Sequence, residues 1–171
     1  MTRAHFLPLG LVAGLIVLIA DQVSKWWVLN LLDLPTLRQV VLLPVLNLTY
    51  VPNSGVTFGL LNGLGSWGHA ILAAVALAVV VALGFWLRRA ESRTMAVAIG
   101  GIAGGAIGNV FDRIRFGYVI DFIDAHINTG WGDLHWYVFN VADAAIVCGV
   151  ATLVLQSMMS KRRSQGERAS T

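Results

Sequence analysis

AILAAVALAVVVALGFWL, residues 70–87, is an eighteen-residue run without a single charge. As a helix it rises about 27 Å, close to the roughly 30 Å hydrocarbon thickness of a bilayer. It reads as a membrane span, and the rest of the chain follows the same pattern. A first span runs from about Leu7 to Leu29, interrupted late by Asp21, Gln22, Ser24 and Lys25. A third, about Met95 to Phe111, is short and rich in glycine, and a fourth, about Val141 to Met159, carries one charge, Asp143, near its start. Composition agrees: 57% of the 171 residues are hydrophobic and 12% charged, against roughly 25% charged in soluble domains. The expected fold is an all-α polytopic membrane protein of four transmembrane helices with a small outer-face β-strand segment. Residues 1–171 form one integral membrane domain.

The N-terminal stretch has a basic Arg3 and an apolar run from Leu7 to Ala20, but no A-x-A-like cleavage site follows. Trp26-Trp27-Val28-Leu29 continues the apolar character, so the first helix is read as retained. Arg3, the 88–93 loop with Arg88, Arg89 and Arg93, and the tail with Lys161, Arg162, Arg163 and Arg168 hold eight of the twelve basic residues. Four spans place all eight on one side, which is therefore cytoplasmic, with both termini. The other side holds Lys25, Arg38, Arg113 and Arg115 and every Asp in the chain.

Between the first two spans, Val40–Leu43 and Leu46–Val51 read as short strands punctuated by Pro35, Pro44 and Pro52. The second outer segment, from Asp112 to Asn140, carries Trp131, Trp136, Tyr137 and Phe139, read as an interfacial belt. The tail, residues 160–171, is polar and reads as disordered. One cysteine, Cys148, and four scattered histidines support neither a disulfide nor a metal centre. The net charge of +3 reports orientation rather than a nucleic-acid partner.

In the third span Gly100, Gly104 and Gly108 recur every four residues, with Gly101 and Gly105 alongside. Small residues at that spacing let helix backbones approach closely. The same span ends in Asn109, Asp112 and Arg113, the first carries Asp21 and Lys25 toward the same side, and the fourth begins at Asn140 and Asp143. Three helices thus bring these polar groups to one depth, and Asn53 and Asp121 can reach it from the loops. Ionisable groups in such surroundings are functional-site candidates, because low dielectric penalises their charge. Asp21 and Lys25, four apart, can pair along one helix face. Asn53, in Pro52-Asn53-Ser54-Gly55, has turn chemistry, and Asn140 is either the N-cap of the fourth span or a substrate contact. Asp121 and Asp143 have apolar flanks and suggest an acid–base pair. Asp124 is followed by a more polar run, so Asp121 is preferred to it.

Five motifs, in order along nearly the whole chain, resemble the lipoprotein signal peptidase (signal peptidase II) family of bacteria. They are Asp21-Gln22-Val23-Ser24-Lys25; Asn53-Ser54-Gly55 with Phe58; Gly105-Ala106-Ile107-Gly108-Asn109 with Asp112-Arg113; Val119-Ile120-Asp121-Phe122; and Phe139-Asn140-Val141-Ala142-Asp143. Gly55-Val56-Thr57-Phe58 departs from the alanine-rich form usual in the family. The resemblance implies an intramembrane aspartyl endopeptidase of the bacterial inner membrane, its active site toward the outer face. Its substrates would be diacylglyceryl-modified prolipoproteins. Asp121 and Asp143 match the catalytic pair, and Asn53, Asn109, Arg113 and Asn140 match residues that orient the pair or hold substrate. Asp21, Lys25 and Asp112 are read as supporting. No metal or cofactor is expected, and the enzyme is expected to work as a monomer among membrane lipids. The rival reading is a small proton-coupled transporter using Asp21, Asp121 and Asp143 as a relay. A relay should place polar groups at several depths, whereas here they gather at one.

Overall fold

The computed structural model describes residues 6–55, 66–129, 132–135 and 137–169. Arg3, Phe58 and the 56–58 departure, and Trp131 and Trp136, lie outside them. In order the elements are α1 (Leu7–Asn30), α2 (Leu34–Leu37), β1 (Gln39–Leu43), β2 (Leu46–Asn53), α3 (Ser66–Leu87), α4 (Arg93–Phe116), β3 (Val119–Thr129), β4 (Gly132–His135) and α5 (Val141–Ala169). Among the described residues, four helices are long and apolar enough to cross a membrane: Leu7–Asn30, Ala70–Leu87, Arg93–Phe116 and Val141–Ser160.

Helix α4 is the hub, packed against α1, α3 and α5. Its span is 56% buried against 11% for each of the others, which turn large apolar side chains such as Leu15, Val75 and Val147 outward. The glycines explain why α4 takes the centre. A Cβ at Gly100 would lie 2.0 Å from the Gly10 carbonyl oxygen, and one at Gly104 would lie 2.1 Å from that of Gly14. Only glycine lets the α1 and α4 backbones meet so closely, as the four-residue repeat predicts.

Three boundaries differ from the sequence reading. Ser92 caps α4, its Oγ accepting from the Met95 N–H at 3.1 Å, so the helix starts at Arg93. At the other end it passes through Asp112 and Arg113 to Phe116 and stops where Gly117 takes φ 79°. Those charges look like a loop in sequence, but within the helix Asp112 meets Lys25 and Arg113 meets the Asn109 carbonyl. Helix α5 continues through Ala169 rather than ending at Met159 with a disordered tail. Propagating a helix already nucleated costs little, and Lys, Arg, Gln and Glu are good helix formers.

The β-strands form one sheet in the order β1-β2-β3-β4, every pair antiparallel. The first two strands match the sequence reading; β3 and β4 were not foreseen. Val119, Ile120, Asp121, Phe122 and Asp124 are all buried, so β3 shows no simple in–out alternation of hydrophobicity. Successive side chains still take opposite faces. Ile120 and Phe122 pack with Val28, Leu34 and Leu48, which turns Asp121 to the other face, beside the start of α5.

Candidate active site

Helix α5 begins with a reciprocal cap. The Asn140 Oδ1 accepts from the Asp143 N–H at 2.9 Å, and the Asp143 Oδ2 accepts from the Asn140 N–H at 3.3 Å. This capping box satisfies two backbone donors and fixes the Asp143 rotamer. The Asn140 side chain also donates to Asp121 Oδ1 at 2.7 Å and to Asn109 Oδ1 at 3.2 Å. Asn140 is fully buried, which favours the cap over a substrate contact and adds a role the sequence did not suggest. It ties one carboxylate to the other.

Asp121 receives a second bond from Asn53 Nδ2 at 2.8 Å. The Asn53 amide is oriented in turn by the Gly55 N–H, which donates to its Oδ1 at 2.8 Å. That asparagine turn needs Gly55 at φ 73°, a conformation glycine adopts without strain. So the Pro52-Asn53-Ser54-Gly55 turn and the dyad contact are one feature. Burial pushes the Asp121 carboxyl up to about 6. The Asn53 bond acts against that shift, the nearby Asp143 charge reinforces it, and Asn140 and Lys25 oppose it.

Asp143 Oδ1 accepts from Asn109 Nδ2 at 2.8 Å. Arg113, one turn further along α4, donates from Nη1 to the Asn109 carbonyl at 3.2 Å. Its Nε is buried and has no hydrogen-bond partner among the described residues. Arg115 instead places its guanidinium 4.8 Å from the Phe116 ring centroid.

Asp21, Lys25 and Asp112 form a buried cluster beneath the pair. The Lys25 ammonium lies 2.8 Å from Asp21 and 2.7 Å from Asp112. Gln22 donates to both carboxylates, at 3.1 and 3.0 Å. Each carboxylate also reaches a backbone donor: Asp21 accepts from the Ala142 N–H at 3.0 Å, and Asp112 from the Ile120 N–H at 3.1 Å. Sequence spacing showed the Asp21–Lys25 pair but not these backbone contacts, which link elements far apart in the chain. Asp124 lies elsewhere, accepting from Thr49 Oγ1 at 2.9 Å across the sheet. The structure therefore gathers all nine predicted site residues into one network and leaves Asp124 out.

A helical membrane protein with a buried and a half-buried carboxylate from different elements, both bound by one asparagine, is equipped for acid–base hydrolysis. The model of the Signal peptidase (SPase) II family matches residues 13–159. The lipoprotein signal peptidase of Methylobacterium sp. (strain 4-46) is 44% identical over 157 residues, covering 92% of this chain and 93% of that protein. That of Methylorubrum extorquens (strain PA1) is 46% identical over 155 residues, covering 91% and 88%. Among solved structures, a bacterial membrane enzyme determined in meso at 2.3 Å superposes with a TM-score of 0.76 at 26% identity, covering 94% of both chains. A second, at 1.9 Å, gives 0.74. The chain belongs to the signal peptidase II family. It is a bacterial membrane protein and a protease, and the transporter reading has no support.

Proposed function

We propose that the chain is an aspartic endopeptidase that removes signal peptides from diacylglyceryl-modified prolipoproteins, cutting before the lipidated cysteine. The observation that carries this reading is the bridged pair, with Asp121 and Asp143 each accepting from a dedicated asparagine and both bound to Asn140. Two close carboxylates in low dielectric resist ionising together, so the pair holds one proton. The ionised member takes a proton from water, whose oxygen attacks the scissile carbonyl carbon. Its protonated partner donates to the carbonyl oxygen. Collapse of the tetrahedral diol breaks the C–N bond, and the cysteine nitrogen leaves with a proton from the pair. A diol hydroxyl returns its proton to the pair as the carbonyl re-forms, so the products are a carboxylic acid and an amine and the pair again holds one proton. The titration belongs to the pair as a unit.

A pH dependence follows. The singly protonated pair loses its remaining proton as pH rises through about 6, the value to which Asp121 is pushed. Since kcat/KM reports the free enzyme, it should fall on the alkaline side with that midpoint. The sign for stability is the same. Asp121 ionises less readily folded than unfolded, so its contribution is present at low pH and lost as pH rises through about 6. A kcat/KM flat from about pH 5 to 8 would count against this assignment.

Arg113 is read as a substrate-holding group. Its Nε, without a partner among the described residues, is a costly buried donor, and its Nη2 lies 3.4 Å from where a Cβ on Gly55 would sit, against the loop that holds Asn53. A peptide carbonyl would satisfy it. Arg113→Ala should therefore reduce cleavage roughly a hundredfold while melting like the wild type, and Arg115→Ala should change cleavage little. If Arg113→Ala loses activity only in proportion to unfolded protein, the residue is structural.

The enzyme is placed in the inner membrane as a monomer, both termini cytoplasmic and the carboxylates toward the outer face. The eight-to-four split of basic residues supports this orientation. Reporter fusions after Arg89 and Lys161 should read as cytoplasmic, and one near Asn128 as external; an external signal after Arg89 overturns the layout. The substrate class is tested by gel shift with one purified prolipoprotein in diacylated and unmodified forms. Only the diacylated form should be cut, and equal cleavage of both would remove the lipid from the recognition.

A further inference from the structure

Lys25 has only donors to offer, and it stands at the start of a directional chain of hydrogen bonds. Its ammonium donates to Asn109 Oδ1 at 3.3 Å, and the same oxygen accepts from Asn140 Nδ2. With two donors on its oxygen, the Asn109 amide has one allowed sense, and its Nδ2 must face Asp143 Oδ1. Flipped, it would set its NH2 against an ammonium and another NH2. The order then continues: Asn140 Nδ2 is directed to Asp121, and its oxygen is left for the Asp143 N–H.

The two carboxylates paired with Lys25 act on the same object from behind. Asp21 holds the Ala142 N–H, one residue before Asp143, and Asp112 holds the Ile120 N–H, one residue before Asp121. One ammonium therefore touches both backbone anchors and the amide that orients the second carboxylate. Lys25 is 2% exposed, and Asp21 and Asp112 are fully buried. A polar cavity of about 110 Å³ bordered by Gln22, Lys25, Asp112 and Arg115 adjoins them, with room for a few waters to solvate the charges.

We propose that Lys25 is a positioning residue for cleavage, fixing the sense of the Asn109 and Asn140 amides and thereby the geometry and charge state of the Asp121–Asp143 pair. This rests on the reading of that pair as the reacting centre. The charged groups around it are Asp21 on its own helix, Asp112, Arg113 and Arg115 from α4, Asp121 from β3 and Asp143 from α5. The cluster of Asp21, Asp112 and Lys25 carries a formal charge of −1, two carboxylates against one ammonium. Removing the ammonium alone makes it −2. Removing the ammonium and the Asp112 charge together returns it to −1. That separates the field of Lys25 from its orienting bond.

The test uses the purified full-length enzyme and a diacylated prolipoprotein, with kcat, KM and the pH profile of kcat/KM normalised to folded protein. Lys25→Met should lower kcat roughly ten- to a hundredfold with KM little changed, and move the active pH window upward. Lys25→Met/Asp112→Asn should restore the window but not kcat, since an asparagine there still accepts from Ile120 while the Asn109 amide is released. Breaking a buried pair by removing one partner is strongly destabilising, so if Lys25→Met does not fold, the double variant carries the test. Wild-type kcat per folded molecule in the double variant would overturn the proposal, as would an unmoved pH window in a folded Lys25→Met. Asp121→Asn and Asp143→Asn run alongside: if either cleaves, the reading of the pair has failed, and if both are dead while the lysine variants are normal, only the role of Lys25 has.

Discussion

Asp121→Asn and Asp143→Asn are each expected to lower cleavage on the order of 10³- to 10⁴-fold, with insertion and folding preserved. General acid–base groups contribute roughly 10²- to 10⁴-fold each, and here one substitution disables both functions, because the proton is shared. An asparagine keeps the volume and one acceptor, so the bonds from Asn53, Asn140 and Asn109 survive in part. It cannot exchange a proton with water. Groups that act as one unit are strongly non-additive, so the double variant should be little worse than either single. Asp124→Asn is the control. Asp124 is buried like Asp121, but its carboxylate serves Thr49, and an asparagine still accepts that bond. Its cleavage should stay near wild type.

Gly104→Ala, with Gly100→Ala, should be among the most damaging single methyls in the helical bundle. At Gly104 the added carbon would sit 2.1 Å from the Gly14 carbonyl oxygen and 2.8 Å from its Cα, both backbone atoms that no rotamer change can move. Helices α1 and α4 must separate. Overpacking of this kind costs about 1–3 kcal/mol, a fall in melting temperature on the order of 5 °C in detergent. Function should suffer more than stability. Separating the helices draws Asp21 from the Ala142 N–H and Lys25 from Asn109, bonds that span α1 to α5 and α4. Gly101→Ala, three residues away, meets only Val17 Cγ2 at 4.0 Å, and Gly84→Ala meets nothing within 4 Å; both should melt and cleave like the wild type. If Gly104→Ala does the same, the close approach of α1 and α4 is not what holds the polar layer together.

What the sequence revealed, and what it hid, divides along the range of the interactions. The spans were legible because eighteen to twenty apolar residues have few other uses in water. The α1–α4 contact was legible because glycine every fourth residue marks one helix face. Asp143 stood out because its neighbours Val141, Ala142, Ala144 and Ala145 offer it no charge. Strand β3 was not legible: its first half is covered on both faces, so Val119-Ile120-Asp121-Phe122 lacks a hydrophobic alternation, and its pairing with β2 joins residues far apart in the chain, as Val51 with Asp121. The end of α4 was misplaced because Asp112 and Arg113 look solvated until Lys25 and the Asn109 carbonyl are seen beside them. In sequence Asn140 reads as a cap or a contact; in the structure its side-chain oxygen caps α5, its side-chain nitrogen reaches Asp121 and its backbone N–H reaches Asp143.

That Asp121 and Asp143 together do the chemistry is tested by gel shift of a purified diacylated prolipoprotein. Equal amounts of folded wild type, Asp121→Asn, Asp143→Asn and Asp124→Asn are compared, with melting curves confirming that each is folded. A shifted product is expected with wild type and Asp124→Asn, and none with Asp121→Asn or Asp143→Asn. Substantial conversion by either of those two would contradict that joint role.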